Sequence, residues 1–253
     1  MAACECCVLK ASQNWRETVE DITAAATESD FLSAAAFLSA IRSPHVRRTR
    51  RDIPLPIRRV AARACAAVVQ LVDVRRRFCS GQHLPRVLLL ARDKDGTVVG
   101  TAGLEPAVWN RTEHIVYPSH KGEAHAVVAL DGGAPVLPAG FELSSMITCV
   151  AVDASLRRTG LAQEICTRLD AIAGEWQLGH SVLMQVVQSN QAARWLAAKM
   201  GYREGFRVPQ PITHEVIEPI GIGDDLDEEA IFVTLGKKIG PVTWRLCAPV
   251  PPY

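Results

Sequence analysis

The segment CVAVDASLRRTGLAQE, from Cys149 to Glu164, decides how the chain is interpreted. It opens as an apolar run, passes through a polar stretch with two arginines and a glycine, and continues with helical periodicity. Cations at the amino end of a helix add to its positive dipole, so they do not favour folding. A bound anion close to Arg157, Arg158 and Gly160 explains them; the alternative is a helix start with two solvated arginines.

The flanking segments predict a βαβ unit around this stretch. Apolar runs at Ile147–Val152 and Ser181–Val187 read as strands, and Gly160 to about Gln177 reads as an amphipathic helix. Two strands joined in this way are expected to be parallel, with a right-handed crossover. Ligands of such sheets gather beyond the carboxyl ends of the strands, where free N–H groups of a helix start hold phosphate.

The rest of the chain predicts further helices and strands, with one long irregular segment. Pro106–Gly140 has no clean periodicity beyond a short candidate strand at Val127–Leu130. A capping sequence at Thr27–Asp30 precedes one predicted helix. The predicted helices are Phe31–Arg42, Ile57–Arg77 and Gln191–Met200, and the other predicted strands lie near Ile22 and at Val87–Ala91, Thr97–Leu104, Tyr202–Val208 and Ala230–Leu235.

Composition narrows the class of protein. The 253 residues carry a net charge of +1, so no overall field favours nucleic acid or a membrane surface. The longest apolar run, Val60–Val74, is interrupted by Arg63 and falls short of the roughly 18 residues that cross a bilayer. Eight cysteines without a secretory signal favour a reducing, cytoplasmic location, with an organelle as the alternative. The cluster Cys4–Cys7 lacks zinc-site spacing, and no metal is predicted.

Two motifs at matching distance give the chain a family resemblance. The loop Arg157–Ala162 fits the pattern Q/R-x-x-G-x-G/A and follows the strand that ends at Val152. The segment Ser181–Tyr202 fits N-x-x-A-R-x-L-Y-x-x-x-G-F at Asn190, Ala193, Arg194, Leu196, Gly201 and Tyr202. From about residue 18 to 236 the chain resembles the GNAT superfamily of acyl-CoA-dependent N-acyltransferases.

The resemblance implies an α/β fold of GNAT type. Its central sheet is mixed, mostly antiparallel, splayed between two parallel strands and flanked by helices. The domain is expected to span residues 16–245 with an insertion at 106–140, between flexible tails at 1–15 and 246–253. The oligomeric state is not predicted.

The resemblance also implies acetyl-CoA as co-substrate and assigns its contacts. The pantetheine would pair with the backbone of Val150, Ala151 and Val152, and Asn190 would contact the CoA arm. The pyrophosphate would rest on the N–H groups of the loop. The loop residues assigned to it are Arg157, Arg158, Thr159, Gly160, Leu161 and Ala162. An acceptor amine would attack the thioester directly, with a main-chain N–H near Val150 polarising its carbonyl.

The usual catalytic side chains of the family are missing. Ala197 stands where a tyrosine often protonates the leaving sulfur, and Met146 stands where a glutamate is often found. Glu142 is therefore the candidate base, acting through a water, with a salt-bridged glutamate as the alternative. A second candidate set, or else solvated side chains, lies in the insertion at Glu113, His114, His120, Glu123 and His125.

The acceptor is not specified beyond an amine of a protein N-terminus, a lysine or a small molecule. An arginine-rich segment, Arg42–Arg63, favours an acidic partner, whereas the acidic loop Asp224–Glu229 favours a cationic one. Two other functions remain open: a non-catalytic CoA-binding domain, and an adaptor that binds RNA or protein through the arginines. Nucleic acid and membrane are not the favoured partners.

Overall fold

A mixed eight-stranded sheet forms the centre of the computed structural model, which describes residues 14–42, 55–79, 84–119, 129–131, 134–211 and 229–238. The strands are β1 (Val19–Ala24), β2 (Val87–Asp93), β3 (Val98–Asn110), β4 (Ile115–Pro118), β5 (Ala129–Asp131), β6 (Ala134–Val136), β7 (Phe141–Val152), β8 (Ser181–Val187), β9 (Arg203–Pro211) and β10 (Glu229–Lys238). The order is β1-β2-β3-β7-β8-β10-β9, β4 pairs with β3, and β5 and β6 form a separate antiparallel pair. The helices are α1 (Trp15–Thr18), α2 (Glu28–Arg42), α3 (Leu55–Phe78), α4 (Leu161–Trp176) and α5 (Gln191–Lys199).

The sheet separates between its two parallel strands. β7 and β8 pair at Ser145 with Val182, Met146 with Leu183, and Ile147 with Met184, and the described residues of both strands form no bridge beyond these. The other pairings in the sheet are antiparallel. The predicted fold class, a mixed sheet splayed between two parallel strands, is confirmed.

Helices cover both faces of the sheet. α4 buries Leu161, Ile165 and Leu169 against one face, as its apolar spacing predicts. On its outer side Glu164 accepts a hydrogen bond from Arg168, four residues later, at 3.0 Å. The opposite face belongs to α2 and α3, where Leu38 and Val74 pack among strand residues. The carboxyl ends of β7 and β8 therefore open between two helical layers.

The predicted cap of α2 is present. Asp30 accepts hydrogen bonds from the backbone N–H groups of Ala26 and Thr27, at 3.0 and 2.8 Å, and its own N–H donates to the Thr27 hydroxyl at 3.2 Å. These bonds lower the pKa of Asp30, because they favour the ionised carboxylate. An ion pair with Arg92 of β2 joins the start of the helix to the sheet.

The segment at 106–140 is more regular than its sequence predicts. β3 continues through Pro106 to Asn110, and β7 begins at Phe141 instead of Ile147. Pro106 falls between the last pairing with β2, at Leu104, and the first with β4, at Ala107, where a missing N–H is tolerated. Because prolines usually end strands, the sequence predicted neither β4 nor the full length of β3.

Several sequence-based predictions fall outside the described residues. These are the Cys4–Cys7 cluster, most of the tails at 1–15 and 246–253, most of the arginine-rich segment, His120, Glu123 and His125, and the acidic loop up to residue 228. Among the described helices, none is long and apolar enough to cross a membrane.

Candidate active site

A β-bulge marks the point where β7 leaves β8. On the other edge of β7, Thr148 pairs with Gly103 and Ala151 pairs with Thr101. Two residues of β7, Cys149 and Val150, therefore face a single residue of β3. Bulges bend a strand and are frequent beside active sites, where they redirect backbone and side-chain groups.

The bulge is held in an unfavourable backbone conformation. Cys149 has a φ of 54°, a left-handed value that is uncommon for a residue other than glycine. The Thr101 hydroxyl donates a hydrogen bond of 2.7 Å to the Cys149 carbonyl in the protein interior. This contact from β3 stabilises the bulge, which includes one of the predicted pantetheine contacts, Val150.

The loop after β7 presents free backbone N–H groups. Arg158 and Gly160 have φ values of 65° and 99°, and the chain turns there into α4. The first bond of the helix runs from the Glu164 N–H to the Gly160 carbonyl at 3.0 Å. The N–H groups of residues 161–163 precede that bond and have no intrahelical acceptor. These N–H groups lie at the amino end of a sixteen-residue helix, where the positive end of the helix dipole favours binding of an anion.

Side chains around the loop reinforce its positive character. Arg157 and Arg158 are both exposed. The Thr159 hydroxyl donates a hydrogen bond of 2.7 Å to the Leu156 carbonyl. Gly160 caps the helix without a side-chain hydrogen bond, so nothing of its own covers the N–H groups. The structure thus brings together the predicted loop residues 157–162 and the end of β7.

Asp153 organises the start of this loop. Its carboxylate accepts hydrogen bonds from the Ser155 hydroxyl at 2.6 Å and the Ser155 N–H at 2.8 Å, capping a 3₁₀ turn at Ala154–Leu156. These bonds from Ser155, followed by the nearby Arg157 charge, lower the pKa of Asp153.

Replacing Asp153 with alanine is expected to lower stability by about 1 kcal/mol at neutral pH, because the turn loses its cap. The folded-state pKa lies below the unfolded one, so the contribution of Asp153 is complete above the ordinary aspartate pKa of about 4. It is lost as pH falls through the lowered value. Urea unfolding of wild type and D153A at pH 7 and in acid measures this. A stability difference that grows on acidification contradicts the assignment.

Asn190 lies at the carboxyl end of the other separated strand. It follows β8 and caps α5, with its side-chain oxygen accepting from the Ala193 N–H at 3.1 Å. The residue is exposed. Because β7 and β8 are parallel, Asn190 and the loop at 157–160 lie beyond the same edge of the sheet.

Comparison with known proteins identifies the family. The sequence profile of the Acetyltransferase (GNAT) family matches residues 65–202, more than half of the chain. The chain belongs to the GNAT acetyltransferase family. Enzymes of this family use acetyl-CoA as co-substrate, so the predicted family and donor are confirmed. No curated protein sequence matches the chain significantly.

Solved structures of GNAT proteins are similar to this chain at low sequence identity. A candidate phosphinothricin N-acetyltransferase is 16% identical with a TM-score of 0.50, the match covering 87% of this chain and 100% of the other. A ribosomal-protein-alanine N-acetyltransferase from Brucella melitensis is 18% identical (TM-score 0.48; 87% and 99% covered). Arabidopsis thaliana NAA60 in complex with acetyl-CoA is 12% identical (0.48; 87% and 99%). At these identities the likeness concerns the fold alone.

Glu142, the predicted base, lies at the other end of β7 from the bulge. It is ion-paired with Arg111 and precedes the paired stretch of β7 and β8. Ile147, where the strands part, lies five positions further along, a distance of roughly 16 Å in extended chain. The structure does not bring Glu142 close to the loop at residues 157–162, so its catalytic role stays a prediction without geometric support.

The two positions that depart from the GNAT pattern are buried and apolar. Met146 is 2% exposed and Ala197 is fully buried. Tyr202 is also buried, and its hydroxyl donates a hydrogen bond of 2.5 Å to Asp170 of α4. Burial, with Asp170 beside it, raises the pKa of Tyr202, so it remains protonated and serves packing.

A buried carboxylate beside Met146 escaped the sequence-based reasoning. Glu105 of β3 is fully buried and pairs in register with Met146, so both side chains lie on the α2–α3 face. Arg77 of α3 donates to Glu105 at 2.8 Å and to Asp73 at 2.9 Å. Burial lowers the pKa of Arg77, but the surrounding acidic groups outweigh it and raise the pKa overall. A lone glutamate in an apolar strand was the available signal.

Proposed function

We propose that this chain is an N-acetyltransferase that moves the acetyl group of acetyl-CoA directly to an amine. One observation carries the proposal: β7 and β8 part after Ile147, with a bulge on one side of the gap and a loop of free N–H groups at its end. Beyond Ile147 the backbone of β7 forms no bridge with the described residues of β8, and an extended amide-rich arm such as pantetheine pairs with a strand edge of this kind.

Each part of the donor has a matching feature in the chain. The pantetheine lies along Val150, Ala151 and Val152, and Asn190 contacts it from the β8 side. The pyrophosphate lies on the N–H groups of residues 158–162, with the Arg157 guanidinium adding a charge-assisted hydrogen bond. The thioester then falls beside the bulge at Cys149 and Val150.

The transfer needs no covalent enzyme intermediate. The neutral amine nitrogen attacks the thioester carbonyl carbon, so that a C–N bond forms and the C–S bond breaks. A main-chain N–H near Val150 stabilises the oxygen that becomes negative. The electron pair leaves with the sulfur as CoA thiolate, and the proton lost by the nitrogen passes to water or to the thiolate.

Proton transfer is assigned to solvent at this site. Met146 and Ala197 supply no acid or base, and Glu142 lies away from the bulge. Thiolate is a good leaving group, so a side-chain acid is dispensable. The acceptor is an amine of a protein N-terminus, a lysine or a small molecule.

Arg157→Ala is expected to weaken acetyl-CoA binding about 10- to 100-fold, since a hydrogen bond to a charged group contributes about 1.5–3 kcal/mol. Calorimetric titration of acetyl-CoA measures this. Arg203→Ala, which removes an exposed arginine at the start of β9, is the matched control and should leave binding unchanged. Equal affinity of wild type and R157A would remove Arg157 from the site.

Turnover is tested separately, by release of the CoA thiol with three acceptors: an unmodified peptide, an N-terminally blocked lysine peptide and a small polyamine. Release with any of them, together with the acetylated product by mass spectrometry, supports the enzyme. Tight acetyl-CoA binding without turnover on any amine favours the non-catalytic CoA-binding domain, for which the buried Met146 and Ala197 are the specific observation.

A further inference from the structure

A small pocket adjoins the loop on the side of α4 that faces the amino-terminal helix. Its volume is about 230 Å³, below the roughly 300–1,000 Å³ of pockets that enclose a whole small ligand. The lining residues are Trp15, Arg16, Gly160, Gln163, Glu164 and Thr167. The Trp15 Nε1 atom would lie 3.7 Å from a Cβ placed on Gly160. The pocket therefore suits one moiety of a ligand whose charged part lies on the loop.

One side of the pocket offers planar groups. Trp15 is half-buried and packs against the core, which fixes the position of its ring. The Arg16 guanidinium lies over the Trp15 ring, 5.5 Å from its centroid. Indole rings and guanidinium groups are the surfaces on which nucleobases stack in proteins.

The opposite side offers hydrogen-bond acceptors. One carboxylate oxygen of Glu164 accepts from Arg168, and the other forms no hydrogen bond within the described part of the chain. The Gln163 carboxamide likewise has no described partner. A carboxylate repels phosphate, so the phosphates of a ligand belong on the Arg157 side. An uncharged base with an exocyclic amino group fits the Glu164 side.

Building on the proposed function, we propose that this pocket binds the adenine of acetyl-CoA. The base stacks on the pair of planar groups formed by Trp15 and Arg16, and its amino group donates to Glu164 or Gln163. Gly160 lines both the loop and the pocket, so the two ends of the nucleotide are held by adjoining surfaces. Trp15 thereby contributes affinity for the nucleotide part of the donor and none for the acetyl-pantetheine part.

The test compares two donors on one pair of variants. Trp15→Leu should weaken acetyl-CoA binding about 5- to 100-fold, the range for loss of one base–aromatic stack. Binding of S-acetyl-phosphopantetheine, which lacks the adenosine, should be unchanged. Trp195→Leu is the matched control, since Trp195 is 73% exposed on α5. Adenosine 3′,5′-bisphosphate should also quench tryptophan fluorescence in wild type and W195L, but less in W15L.

Three results overturn the proposal. They are equal acetyl-CoA affinity in W15L, an equal loss for both donors in W15L, and a loss in W195L instead. Glu164→Ala serves where W15L does not fold, and there the loss must again be confined to acetyl-CoA. Failure of the proposed function looks different, because the nucleotide would still bind and quench while no amine is acetylated.

Discussion

Replacing Gly160 with tryptophan is expected to abolish acetyl-CoA binding, with a loss of at least about 100-fold, and acetyl transfer with it. Gly160 has a φ of 99° and borders the free N–H groups of α4, so an indole there is expected to occupy the space proposed for the pyrophosphate. Calorimetric titration gives the affinity, and thiol release gives the turnover.

Two variants separate steric exclusion from loss of fold. Gly174→Trp places the same side chain on α4 at a position where an added Cβ meets no packed atom within 4 Å, and should bind normally. Gly160→Ala keeps most of the backbone strain without the bulk, because alanine also disfavours a positive φ. Normal binding and turnover by a folded G160W would show that the pyrophosphate lies elsewhere. The arginine-rich segment would then become the better lead to function.

Glu105→Ala is expected to lower the free energy of unfolding by about 3–5 kcal/mol, the range for breaking a buried ion pair from one side. Arg77 would keep its charge in a site where its side chain is only 20% exposed, with Asp73 as its remaining ion-pair partner among the described residues. Urea denaturation monitored by circular dichroism measures the change.

The size of this effect depends on burial, which gives a control within the same helix. Arg75 of α3 pairs with Glu28, but both side chains are about half exposed, so Glu28→Ala should cost no more than about 1 kcal/mol. The double variant Glu105→Leu with Arg77→Met should recover most of the loss, because it removes both charges. A loss in E105A no larger than in E28A would mean that the pair is solvated in solution.

Local patterns sufficed for the part of the site built from one continuous segment. The apolar strand, the arginines with Gly160, and the helix starting at Leu161 are neighbours in sequence. Their periodicities therefore predicted the βαβ unit and the loop. Asn190 was found in the same way, through a second local motif. The family follows from these two segments.

Features that depend on pairing between distant strands could not be predicted. The bulge at Cys149 exists because two residues of β7 face one of β3, and the hydroxyl that holds it comes from Thr101. The position of Glu105 beside Met146 follows only from the register between β3 and β7, which the sequence does not reveal. Glu142 was predicted as the base because it is a glutamate in the central strand. It lies near the start of β7, however, and the bulge lies near the end of that strand.

The narrow junction between β7 and β8 has a mechanical consequence. Three paired positions join the half-sheet β1-β2-β3-β7 to the half-sheet β8-β10-β9, so we expect the sheet to bend most easily at this junction. α4 spans it: the helix packs on β3 and β7, while Asp170 is bound by Tyr202 and by Lys237 of β10. A ligand that contacts both edges of the gap would connect the two half-sheets. We therefore expect donor binding at the proposed site to restrict motion between the two half-sheets.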